Sequence, residues 1–226
     1  MKLSFVLPSL NEEESVAKVI GDIQKVTDKQ AEIILVDSGV DKTAMIAKQM
    51  NATVYKVKQI SYGYSVKYGL KKATGDVIFT ADCDGTYPME QIPDFLDQIN
   101  AGYDLVTGNR FANGRLNIPF LSRLGNFFFR TIIKWLYGIV IYDVTTGMKA
   151  IRKEVAHAFE WESNWALPIE LVIRPIFKGH RLKEIPIEYY ERYGGETKLK
   201  HISMGLAYLR CIIKYKYNLN FGEDKL

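Results

Sequence analysis

The chain has 226 residues, 47% of them hydrophobic, enough for one large α/β domain, and no shift in composition marks a second. Its net charge of +4 is uneven: residues 1–113 carry 12 Lys and Arg against 15 Asp and Glu, and residues 114–226 carry 18 against 11, so the second half should meet an anionic partner, either phosphate groups or an acidic membrane surface. Two cysteines, Cys83 and Cys211, with no metal-ligand spacing to the three histidines, exclude a structural zinc site and point to a reducing compartment, and no run reaches the roughly 18 charge-free apolar residues of a membrane span.

The opening "LSFVLP" reads as a buried strand, and its early passage into Pro8 and a carboxylate cluster is unlike a secretory leader. Asn11 is the expected N-cap of a helix through "NEEESVAKVIGDIQKV", with its glutamates matched to the helix dipole and Val16, Val19, Ile20 and Ile23 on one face. Next come a strand at "AEIILVDSG", a helix capped near Asp41 and a strand at "ATVYKV". A helix at "SYGYSVKYGLKKAT", ended by Gly75, leads into the strand "DVIFTA", and "DLVTGNRF" is a further strand that delivers Arg110. Strands alternating with helices predict a parallel, doubly wound sheet, whose ligands bind beyond the carboxyl ends of the strands. That edge collects Pro8, Asn11, Glu12, Asp37 and the pair Asp82 and Asp84.

After residue 113 the character changes. "LNIPFLSRLGNFFFRTIIKWLYGIVIYDV" is apolar nearly throughout, with Arg123, Arg130 and Lys134 the only charges before Asp143. It suits an amphipathic segment seated in a bilayer interface with its cations snorkelling, or else core or dimer packing. The tail "SMGLAYLRCIIKYKYNLNF" carries the same two readings. The three histidines read as structural or solvated.

Two carboxylates one residue apart at the end of a buried strand need a positive partner, because ionised groups lose hydration there. A hard divalent ion, Mg²⁺ or Mn²⁺, bridged to a diphosphate suits Asp82 and Asp84. "FVLPSLNEEESV", "EIILVDSG", "GYSVKYGLKKATGDVIFTADCDGTYP", "DLVTGNRF", "DVTTGMKAIRKE" and "ERYGGETKL" occur in the order seen in family 2 glycosyltransferases. Together they resemble most the dolichyl- or polyprenyl-phosphate sugar transferases of that family. The resemblance spans Leu3 to about Leu199 and implies a GT-A fold: a Rossmann-like, mostly parallel central sheet with flanking helices and C-terminal amphipathic helices. A single domain is expected, with residues 1–113 as the nucleotide-sugar half and 114–226 as the acceptor and membrane-facing half.

The same resemblance implies the site. Pro8, Asn11 and Glu12 line the nucleotide pocket, Asp37 receives N–H groups of the base, Asp82 faces the ribose and metal-bound water, and Asp84 sits on the metal. Arg110, in the place of the family's Gly-Ser-Arg arginine, looks like a phosphate contact, and Arg123 and Arg192 resemble the cations that hold the donor diphosphate and the acceptor phosphate, with Lys198 a weaker member. Asp143 borders the sugar and the reaction centre, and Glu170 lies on a helix beneath it. Ser38 stands where the family has a second acid, Leu10 where an aromatic is frequent, Lys149 where it has an arginine, and Cys83 where alanine is usual.

The implied activity is an inverting, metal-dependent transfer of a hexose from GDP-mannose or UDP-glucose to dolichyl or polyprenyl phosphate. It would take place peripherally at the cytoplasmic face of a membrane, with a homodimer or a small membrane-protein partner in keeping and no nucleic acid. Catalysis is expected from Asp84, Asp143 and Arg192, since leaving-group charge and an oxocarbenium-like carbon both need preorganised electrostatics. A hydroxyl acceptor would instead require Asp143 as general base. A non-catalytic nucleotide-binding scaffold is the reading from another class, and a dinucleotide-binding dehydrogenase is disfavoured because no Gly-x-Gly-x-x-Gly follows the first strand.

Overall fold

A computed structural model describes residues 1–58, 61–113, 118–193 and 201–217. Its centre is a seven-stranded sheet of β1 (Leu3–Ser9), β2 (Glu32–Asp37), β3 (Thr53–Lys56), β4 (Val77–Thr80), β5 (Leu105–Asn109), β6 (Lys149–Arg152) and β7 (Leu182–Pro186), in the order β3-β2-β1-β4-β6-β5-β7. Neighbours pair in parallel except β6, which runs antiparallel between β4 and β5. The expected doubly wound sheet is therefore mixed. Strand direction leaves no mark on hydrophobic periodicity, so "KAIR" gives no sign of its reversal.

Helices α1 (Val16–Val26), α2 (Thr43–Gln49), α3 (Tyr62–Lys72), α4 (Ile92–Asn100), α5 (Phe120–Tyr137), α6 (Lys153–His157), α7 (Leu167–Phe177) and α8 (His201–Tyr217) complete the architecture. Both faces of the sheet are buried, which is why its strands read as unbroken apolar runs. Phe5, Leu7, Leu35, Phe79 and Val106 point to one core, shared with α1 and α4, and Val6, Ile34, Ile78, Leu105 and Ile151 point to the other, shared with α3, α7 and α8. Each fully buried large side chain contributes roughly 1.5–3 kcal/mol, so the alternation fixes the register firmly.

The first helix departs from expectation. It begins after Ser15, with no acidic residue in its first turn, whereas Asn11 lies in a turn with φ of +56°. The residues read as cap and dipole partners are engaged elsewhere: the Asn11 side chain accepts the Val40 N–H at 2.8 Å, Glu13 accepts that of Lys42 at 3.0 Å, and Glu12 faces the site described below. Near Asp41 the expectation agrees with the structure, for its carboxylate accepts the Thr43 N–H at 3.1 Å.

Helix α5 follows Pro119 and stops at Gly138, whose φ of +71° lets its N–H reach the Lys134 carbonyl at 2.9 Å. It is apolar on two opposite faces. Phe129 and Ile133 are in the core, while Phe120, Leu121, Leu124, Phe127, Phe128 and Trp135 form an exposed stripe. At 100° per residue Arg123, Arg130 and Lys134 fall on one flank of that stripe. The core-packing reading thus accounts for only half of this helix. The tail segment leans the other way: Ala207, Tyr208, Cys211 and Ile212 of α8 are buried, with Leu206 and Tyr217 exposed. Among the described residues no helix is long and apolar enough to cross a membrane.

Candidate active site

The polar clusters assemble at the carboxyl ends of β1, β2, β4 and β5. Parallel register sets Ser9 opposite Asp37 and Asp37 opposite Lys56, so three side chains from adjacent strands meet there. Buried Asp37 accepts the Ser9 hydroxyl at 3.0 Å, the Gly39 N–H at 2.9 Å and Lys56 Nζ at 2.8 Å. Pro8, opposite Val36, and Asn11, against the 39–40 backbone, complete this corner.

The loop from Asn11 to Ser15 is tied to the end of β4, since the Ser15 hydroxyl donates to the Cys83 carbonyl at 2.7 Å. Cys83 is buried in the core, separating the two carboxylates only in sequence. Asp84 Oδ1 accepts the Thr86 N–H at 3.1 Å and its hydroxyl at 2.7 Å, while Gly85 turns with φ of +79°. Residues 190–193 then lie along this turn, Tyr190 N–H donating to the Thr86 carbonyl at 2.9 Å and Tyr193 N–H to that of Asp84 at 3.1 Å. That pairing carries Arg192 over the carboxylates, its Nη2 2.5 Å from Glu12 Oε1 and 3.6 Å from Asp84 Oδ2. Burial first, and then the charge of Asp84, push the Asp82 carboxyl well above the usual range, against the pull of Arg110 and Arg192.

A second assembly lies at the end of β5. Arg110 grips Asp143 through both oxygens, Nε to Oδ2 at 2.6 Å and Nη2 to Oδ1 at 2.8 Å, and also donates to the Thr145 hydroxyl at 2.9 Å. Asp143 is wholly shut from solvent. Its loop is clamped from below by Glu184, which accepts the N–H groups of Tyr142 at 3.0 Å and Asp143 at 2.7 Å. Asn126 of α5 clamps it from the side, donating to the Tyr142 carbonyl at 2.7 Å and accepting the Val144 N–H at 3.0 Å. Buried Lys149 donates to the Thr146 carbonyl, and burial, only partly offset by Asp143, brings its pKa down to about 7.

Of the residues expected from sequence, the structure brings Glu12, Asp82, Asp84 and Arg192 into one cluster, Arg110 and Asp143 into a second, and Pro8, Asn11 and Asp37 into a third. Arg123 stands on the flank of α5 without a carboxylate partner among the described residues, and Lys198 lies outside them. Glu170 has a supporting part: fully buried, it accepts the N–H groups of Glu162 and Ser163, Arg174 Nη1 and the Tyr215 hydroxyl, all between 2.7 and 3.0 Å. Sequence reasoning missed Lys56, Asn126 and Glu184. Only Asn126 left a signal, as a lone amide inside an apolar run.

A family model described as glycosyl transferase family 2 matches residues 4–159. The chain belongs to that family. It is a glycosyltransferase, and the matched span holds every site residue expected from sequence except Glu170, Arg192 and Lys198. It is 42% identical over 212 residues, 94% of this chain and 92% of the relative, to a dolichyl-phosphate hexose transferase of Haloferax volcanii. A polyprenol monophosphomannose synthase of Mycolicibacterium smegmatis is 28% identical over 216 residues, covering 86% of this chain and 79% of that one. Among solved structures, the glucosyl-3-phosphoglycerate synthase of Mycobacterium tuberculosis in complex with Mn²⁺, UDP-glucose and phosphoglyceric acid superposes with a TM-score of 0.79 at 19% identity, covering 98% of this family 2 chain and 81% of its own, which establishes the shared GT-A fold.

Proposed function

We propose that this glycosyltransferase moves a hexose from a nucleotide sugar, GDP-mannose or UDP-glucose, to the phosphate of a dolichyl or other polyprenyl lipid, with inversion at the anomeric carbon. The observation that carries the reading is the convergence of Glu12, Asp82 and Asp84 at the sheet edge, with the Arg192 guanidinium against them. Hard carboxylate oxygens with too few protein ligands to enclose an ion suit Mg²⁺ or Mn²⁺ shared with a diphosphate; among the described residues no three metal-ligating side chains group closely enough to hold one alone. Asp82 and Asp84 would hold that ion, which when bound supplies positive charge to the leaving diphosphate.

The chain's own groups divide the remaining work. Pro8, Asn11 and Asp37 receive the nucleoside, and Arg192 meets the phosphates. Arg110 fixes Asp143, and the buried pair holds the loop that borders the sugar, a preorganised polar wall for the oxocarbenium-like transition state. A lipid monophosphate is already anionic near pH 7, so no strong base is needed. The competing hydroxyl acceptor would need Asp143 as that base, and a carboxylate gripped by Arg110 and closed to solvent is poorly disposed to take a proton.

The acceptor class is supported by the relatives' names and by α5. Its apolar stripe, flanked by Arg123, Arg130 and Lys134, suits a helix lying in the headgroup region at the cytoplasmic face of a membrane, with Arg123 and Lys198 meeting lipid phosphate. The test is transfer of radiolabelled sugar from each donor into an organic-extractable product, with dolichyl phosphate and Mn²⁺ supplied. Label in the lipid phase from one donor is the expected result; label only in water-soluble glycosides would refute the acceptor.

A further inference from the structure

Tyr62 opens α3 beside the acidic cluster, and its backbone is held firmly. Ser61 caps the helix by accepting the Tyr64 N–H at 3.1 Å, and the Gly63 N–H donates to the Asn164 carbonyl at 2.8 Å. Across the cleft lies Gly147, in the same loop as Asp143. A Cβ built on Gly147 would stand 3.0 Å from Asp82 Oδ1, 3.1 Å from the Tyr62 hydroxyl and 3.2 Å from the Tyr87 hydroxyl. Three oxygens, one from α3 and two from the loop after β4, thus converge on one bare backbone position that even a Cβ would crowd.

The three are not equivalent. Tyr87 is buried, and its hydroxyl accepts the Gly147 N–H at 2.7 Å. Asp82 belongs to the charge cluster. The Tyr62 hydroxyl, on a half-buried side chain, has no hydrogen-bond partner among the described residues. Its oxygen is not among the buried unpaired atoms, so in the free protein water can pair with it, and a ligand hydroxyl could take that water's place. A phenol keeps its proton near neutral pH and can therefore act as a donor here.

Its position along the site selects the ligand group. The nucleoside corner around Asp37 lies on β1, β2 and β3, whereas Tyr62 faces the loop that presents Asp143. Resting on the donor-site reading above, we propose that Tyr62 is a specificity-determining residue whose hydroxyl donates to a hydroxyl of the transferred hexose, seated over Gly147 between Asp82 and Tyr87. A sugar hydroxyl accepts from Tyr62 and donates to Asp82 at once, which neither a phosphate oxygen nor an alkyl chain does.

The experiment compares wild type with Tyr62→Phe by calorimetric titration in Mn²⁺, using GDP-mannose and UDP-glucose, each beside its own nucleoside diphosphate. The donor that wild type binds should weaken about five- to tenfold in the variant, the value of one neutral hydrogen bond, with the affinity for the diphosphate itself unchanged. Equal weakening of both ligands would mean that Tyr62 acts through Asp82 or the ribose, and no weakening that it touches neither; each overturns the assignment. Wild type that binds none of the four ligands would instead overturn the donor-site reading, and the assignment with it.

Discussion

Replacing Arg110 by alanine tests whether the Arg110–Asp143 pair is what sets the reaction loop. The side chain supplies three hydrogen bonds, two to a carboxylate with no solvent contact and one to Thr145. Breaking a buried pair by removing one partner costs about 3–5 kcal/mol, because the remaining charge is stranded. Asp143 would keep the N–H groups of residue 110 at 3.1 Å and Thr145 at 3.3 Å, which places the loss near the lower end, about 3 kcal/mol. With a urea slope of about 2–3 kcal/mol/M, the unfolding midpoint should fall by about 1–1.5 M at unchanged slope, read by tryptophan fluorescence. Arg110→Lys, which keeps the charge but loses the two-pronged grip, should fall between the two. Turnover should drop in both variants. A midpoint shift under 0.3 M for the alanine variant, roughly a few tenths of the expected loss, would refute the claim that this pair is buried and coupled.

Asp84→Ala should abolish turnover and metal-dependent nucleotide binding while leaving the melting temperature within a few degrees; retained Mn²⁺-dependent binding would remove Asp84 from the metal site. Burial brings the Lys149 ammonium down to about 7 in the folded chain, from an ordinary lysine value of 10.5 when unfolded. The unfolded state therefore binds the extra proton between those values, and stability should rise with pH across that window by up to about 1.4 kcal/mol per unit. Lys149→Met should flatten that rise, and identical pH profiles of unfolding would contradict it. Replacing Phe127 and Phe128 together by glutamate should release the protein from anionic vesicles in a sedimentation assay without lowering its melting temperature, since both side chains are exposed. Unchanged co-sedimentation would send the lipid contact to another surface.

The strand and helix alternation of the first 110 residues was legible because each element there carries its own periodicity and both sheet faces are apolar. Val16, Val19, Ile20 and Ile23 announce α1 at the right spacing, yet the start of that helix was misplaced by several residues. Asn11 and Glu12 have the side chains of a helix start, and nothing local reveals that the fold claims them for the site. Asp82 and Asp84 stood out as charge at a buried strand end. The Arg110–Asp143 pair did not, because its members lie 33 residues apart and each alone reads as a ligand contact. Arg192 was reached through family resemblance, and its place over Asp84 depends on a backbone pairing between residues 84–86 and 190–193 that no sequence pattern encodes. Tyr62 went unremarked because a tyrosine at a helix start has no distinctive spacing.

The reversed strand β6 has a consequence for how the molecule is made. β4 and β5 follow each other in sequence but never pair; residues 149–152 must arrive to bridge them. A chain emerging from the ribosome as far as residue 113 would hold β3-β2-β1-β4 with an open apolar edge at β4, and β5 would have nothing to join. The central ladder closes only across about 70 residues of intervening chain, a high-separation contact that slows assembly. Residues 1–113 and 114–226, the halves proposed here for nucleotide and acceptor, thus share one sheet and one unit of folding. A split or truncation near residue 113 should leave an aggregation-prone edge and no independent binding module.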